Sequence, residues 1–150
     1  MYVVPLCSSS AILNISDDLD AFGNIGVYRY TEIYHFRGIP ADELALRILP
    51  NLEARFLHFM HHLGSMNSLA ERHKIRYQLT RDFFNKLEAE FASGSIEPGS
   101  FQQIIQILID FSDSSATNLH EMACHKSATD AVVIKFFNNF INELGEDQVN

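Results

Sequence analysis

Apolar residues recur every fourth position at Ile75, Leu79, Phe83, Leu87 and Phe91, while Tyr77, Phe84 and Phe91 repeat every seventh. Such spacing makes a wide apolar face on one long helix. Ser65, Asn67 or Ser68 can cap it, and it is expected to run to about Ala92 and stop at Gly94. Beyond the Gly/Ser/Pro-rich loop Ser93 to Gly99, Ser100 opens a helix carrying Phe101, Ile104, Ile105, Leu108 and Phe111. Past a serine-rich joint, Leu119 to Lys126 reads as a short helix. Ser127 and Asp130 then have the spacing of a capping box. The final helix repeats Val132, Val133, Phe136, Phe137, Phe140, Ile141 and Leu144, and Gly145 is expected to close it.

Earlier in the chain, Pro40 suits a first helical position, with Asp42 and Glu43 in the first turn. Pro50 removes a backbone donor, which predicts a break near Leu49 and a second segment from Asn51 to Leu63, ended by Gly64. The first forty residues read differently. Tyr2 to Cys7 and Ala11 to Ile15 are short apolar runs, and Gly26 to Phe36 alternates aromatic and polar residues as a strand does. Asp17, Asp18, Asp20, Gly23, Asn24 and Gly26 punctuate the segment as turns. The expected fold is therefore mainly α: one folding unit of four to six helices with a small N-terminal β element, α+β being the variant. Residues 1–39 form the arm, 40–145 the helical bundle and 146–150 a frayed tail.

A chain of 150 residues with 47% hydrophobic content and 12 Phe fits one domain with a real core. Its net charge of −8 opposes attraction to phosphate backbones, so nucleic acid is not the expected partner. No run of about 20 apolar residues is present to cross a membrane. The start, Met1 to Leu13, lacks the positive end of a cleaved secretory signal. Cys7 and Cys124 are too few for a disulfide scaffold and suit a reducing, cytoplasmic setting.

Histidine supplies the candidate metal chemistry. His58, His61 and His62 lie three and four apart, and His120 lies four before Cys124, so each set can present two ligands on one helix face. Packed together, they could close a site, with zinc the natural ion for nitrogen and sulfur donors and iron or copper behind it. Ordinary, partly exposed histidines are the favoured reading, and no cofactor is expected. In the run from His120 to His125, the second histidine falls one residue late for a zinc-protease pair, about 100° round the helix. Glu53 with His58 and Glu121 with His125 miss the spacing of di-iron bundles. A helix-turn-helix lacks room at Lys126 and Ser127 and has only Lys135 as a basic residue on its reading helix. No nucleophile elbow, glycine-rich phosphate loop or calcium loop is present, so no enzyme activity is expected.

Two features point to partner binding. Arg72, Lys74, Arg76, Arg81 and Lys86 gather much of the positive charge on the long helix, as a solvated face or a docking strip for an acidic partner. Adjacent aromatic pairs, Phe83 with Phe84 and Phe136 with Phe137, cannot point the same way, so part of that surface must face a second layer or another chain. The expected function is a non-enzymatic adaptor, secretion accessory or regulator. It binds another protein, or itself as a homodimer, and Arg72, Lys74, Arg76, Phe84 and Phe137 are its candidate contacts. A metal-binding helical protein is the first alternative. The second comes from Ser8 to Ser16, rich in Ser, Ile and Asn and free of basic residues. That stretch resembles, in composition, the uncleaved start of proteins exported by bacterial injection-type secretion systems. The resemblance implies a secreted, virulence-associated factor without a cleaved signal.

Overall fold

The computed structural model describes residues 21–63, 67–112, 115–127 and 129–149. Six α-helices follow one another there: α1 (Gly23–Phe36), α2 (Leu44–Leu63), α3 (Asn67–Ala92), α4 (Ser100–Asp110), α5 (Ala116–Lys126) and α6 (Ala131–Val149). The fold is a mainly α single domain. Among the described residues there is no strand. The runs Tyr2 to Cys7 and Ala11 to Ile15, the stretch Ser8 to Ser16, and Gly64 lie outside those residues.

The strand expected over Gly26 to Phe36 is a helix, and it lies in the interior. Val27, Tyr30, Thr31 and Tyr34 are buried at spacing three, four and seven, the helical period hidden beneath the alternating aromatics. β-propensity reflects how a side chain packs, so burial against four neighbouring helices overrides it. Helix α1 packs on α2 and α3 on one side and on α4 and α6 on the other. Phe22, fully buried, sets its ring edge-on to Phe56, Phe59 and Tyr77 at 6.0, 5.7 and 6.0 Å. Buried Thr31 meets its need for an acceptor by donating to the Val27 carbonyl at 2.7 Å.

Burying the start of a helix strands backbone groups that water would otherwise satisfy. Phe22 offers no side-chain cap, and the carboxylate of Glu143 on α6 takes that role. Its two oxygens accept from the amides of Asn24 and Ile25, each at 3.2 Å, across 119 and 118 residues of sequence. The dipole of α1 favours an anion there. From α3, Arg76 donates to the Phe22 carbonyl at 3.0 Å and the Thr80 hydroxyl to the Gly23 carbonyl at 2.8 Å. Gly23, with φ of +82°, and Gly26 make this approach possible. A Cβ on Gly23 would meet the Glu143 carboxylate, and one on Gly26 the Ala21 carbonyl. The turns expected at these glycines are instead close packing.

Pro50 does not break its helix, and α2 runs continuously from Leu44. The proline is exposed, as is Leu46, whose carbonyl loses its partner, while Ile48 and Leu52 are fully buried on the opposite side and hold both halves to the core. Pro40 precedes a short 3-10 turn, Ala41–Glu43, that leads into α2. The capping box at Ser127 does not form. Ser127 is buried and donates to Gln103, and Asp130 caps α6 by accepting from Val132 and Val133 at 3.0 and 3.3 Å. Helix α6 also passes through Gly145, where its end was expected, and reaches Val149. Glu90 of α3 likewise caps α4, taking the amides of Phe101 and Gln102 at 3.1 and 2.9 Å. Ser100 donates to Asp130 at 2.7 Å and ties the starts of α4 and α6 together.

Burial raises the pKa of Glu143 above the ordinary glutamate range, more than the Asn24 and Ile25 amides and the Arg76 charge lower it. The folded state thus holds this proton more tightly than the unfolded chain. Stability from this group is complete below the unfolded-chain pKa and is lost as pH rises through the raised one. Wild type is predicted to lose stability relative to Glu143→Gln as pH rises from the ordinary glutamate range. Denaturant unfolding of both proteins across a pH series checks this, and a wild type that gains stability relative to the variant as pH rises would contradict it.

Candidate protein-binding groove

Residues of α3, α4 and α6 line a groove near the start of α1. On α3, Ile75, Leu79 and Phe83 follow at spacing four; on α6, Val132 and Phe136 do the same. Phe83 and Phe136 are nearly buried and face each other at 5.5 Å between ring centroids, while Phe101 sets its ring edge-on to Phe83 at 5.1 Å. Ile104 is fully buried beneath them. Above this aromatic floor Ile75, Leu79 and Val132 are 65%, 37% and 45% exposed, so the walls are apolar and open to solvent. The cavity measures about 440 Å³. Lys86 on one wall and Lys135 on the other give its rim positive charge, with Asp82 beside them and Asn24 at the end near α1. The Lys86 ammonium lies 5.5 Å from the Phe101 ring centroid.

Phe84 and Phe137, the aromatic contacts expected from sequence, are 0% exposed and present nothing to a partner. Successive helical residues point about 100° apart, so the groove is lined by the residue before each, Phe83 and Phe136. The ring pairs Phe83–Phe84 and Phe136–Phe137, at 5.3 and 5.1 Å, carry one aromatic layer from groove to core. Both faces of α3 are apolar. The Tyr77–Phe84 stripe enters the core, and the Ile75–Leu79–Phe83 stripe lines the groove, although all five fit a single core face when read as sequence.

The expected basic strip is dispersed. Arg76 is half-buried and spent on the Phe22 carbonyl, with His73, itself buried, 3.2 Å from its guanidinium. Arg72 and Lys74 are exposed, but Lys74 lies about 200° round the helix from either arginine. Arg81 lies 3.9 Å from Asp82 and over the Tyr77 ring. Lys86 reaches the groove, and Lys135, from another helix, joins it there.

The two histidine sets do not combine. His58 and His62 bring their Nε2 atoms to 3.1 Å on α2, and the His61 ring lies 5.3 Å from that of His62. On α5, His120 Nε2 is 3.9 Å from the Sγ of exposed Cys124. Helix α2 packs on α1 and α3, and α5 on α4 and α6. Among the described residues no group of three or more His, Cys, Asp or Glu could hold a metal ion, which corrects the joint zinc site.

A second cavity, also of about 440 Å³, is lined by Gln102, Gln103 and Gln106. Its amides serve the fold. Gln102 accepts from Gly99, Gln103 accepts from Ser127 and donates to the Pro98 carbonyl, and Gln106 donates to Asp110. No described helix is long and apolar enough to cross a membrane. No protein-family model, curated protein or solved structure matches this chain.

Because Arg76 holds a buried carbonyl and Lys74 faces solvent, their alanine variants are predicted to differ. Arg76→Ala should cost about 1–3 kcal/mol. Lys74→Ala should stay within about 0.5 kcal/mol of wild type. Unfolding free energies of the two variants check the assignment, and equal values would contradict it.

Proposed function

We propose that this protein is a non-enzymatic binding module, an adaptor or regulator that takes an amphipathic segment of a partner protein into the groove between α3, α4 and α6. One observation carries the reading: three exposed apolar side chains from two helices, Ile75, Leu79 and Val132, line one groove over an aromatic floor. Water-exposed apolar walls above a preformed concave floor gain by burial, about 1.5–3 kcal/mol for each large side chain fully covered. Parallel runs of residues on two helix walls suit a third helix with anchors three and four apart. Lys86 and Lys135 favour acidic residues flanking those anchors. In a chain of net charge −8, local cations at the rim set the orientation of such a partner while the wider surface repels acidic chains that lack the anchors.

Leu79→Asp and Val132→Asp, each at an exposed position, are predicted to leave the unfolding midpoint near that of wild type and to weaken partner binding by about tenfold or more. Affinity purification from the native host, with mass spectrometry of proteins recovered at near-stoichiometric level, identifies the partner. Titration of that partner against the three proteins measures the loss. Raising salt should weaken the wild-type complex as Lys86 and Lys135 are screened. Undiminished binding by both variants, or a wild-type protein that emerges alone, would contradict the proposal.

A further inference from the structure

We propose that His58 and His62 form a chelating site for one divalent transition-metal cation on the outer face of α2. The pair is four apart on a continuous helix, so the backbone itself aligns the two rings. Their Nε2 atoms stand 3.1 Å apart. Two nitrogens at that separation, each about 2.05 Å from a common ion, subtend roughly 98° at the metal. That angle lies between the about 90° of octahedral and about 109° of tetrahedral coordination; the rings share a hydrogen bond at this distance, and a cation that displaces its proton can take both nitrogens with the backbone unchanged.

Neutral imidazole nitrogen is a borderline donor suited to Cu²⁺, Ni²⁺ and Zn²⁺, with Cu²⁺ the tightest of the three. The rings meet edge-on at 71° with centroids 4.4 Å apart rather than stacking. His61 precedes His62 by one residue, so it points about 100° away and its ring meets that of His62 edge-on. His58 is exposed and His62 half-exposed, which leaves the remaining coordination positions to water. The net charge of −8 raises the local concentration of cations. Arg55, a turn earlier on the same helix, opposes this, and solvent around an exposed pair screens its charge. The site is independent of the groove, which α3, α4 and α6 build.

Calorimetric titration of the full chain, free of any histidine tag, with Cu²⁺, Ni²⁺ and Zn²⁺ tests the site. One equivalent should bind, tightest for Cu²⁺, and His58→Ala and His62→Ala should each weaken it by about tenfold or more. His125→Ala, on the exposed part of α5, should bind as wild type does. The metal should also raise the unfolding midpoint of wild type and not that of either variant. Both histidines are at the surface, so their variants should fold. Binding that persists unchanged in both variants, depends on only one of them, or is absent from wild type would overturn the proposal.

Discussion

The start of α1 is buried, and its stranded backbone groups have to be satisfied by the rest of the chain. Glu143 accepts from the Asn24 and Ile25 amides, and Arg76 and Thr80 donate to the Phe22 and Gly23 carbonyls. A buried amide left without an acceptor costs about 1–3 kcal/mol, comparable to a sizeable share of a small domain's net stability. The arrangement is costly in another way, since burial works against the Glu143 charge. The fold tolerates that because the alternative is two unsatisfied amides at the positive end of a helix dipole.

This one junction sets the positions of the other helices. Glu143 holds α6 and Arg76 and Thr80 hold α3 against the same turn of α1, so the two long helices are pinned at one level. The Ser100–Asp130 bond and the Glu90 cap fix α4 beneath them. The groove is what remains between walls held in this way. Asn24 belongs to both, donating its backbone amide to Glu143 and lining one end of the groove.

Helices α3, α4 and α6 were legible from their apolar repeats, and α5 from the serines around it, although Gly145 does not end α6 and Asp130 rather than Ser127 caps it. Helix α1 was not. Its tyrosines at 28, 30 and 34 fall on every second position, and the period that decides its structure, Val27, Tyr30, Thr31 and Tyr34, becomes meaningful only once four helices surround it. Nothing local announces Glu143 as a cap for residues so distant in sequence. At the groove, the adjacent phenylalanines of α3 and α6 implied two apolar faces but not which member of each pair turned inward. Histidine spacing on α2 foretold the meeting of His58 and His62, whereas the separation of α2 from α5 depended on tertiary packing.

The most direct test follows the Glu143 carboxyl and the Asn24 and Ile25 amides together by NMR as pH is varied. The carboxyl should titrate above the ordinary glutamate range, both amides should shift with the same midpoint, and residues 23–36 should give helical shifts with slow amide exchange. An ordinary carboxyl titration, amides that ignore it, or strand-like shifts over 26–36 would contradict the account.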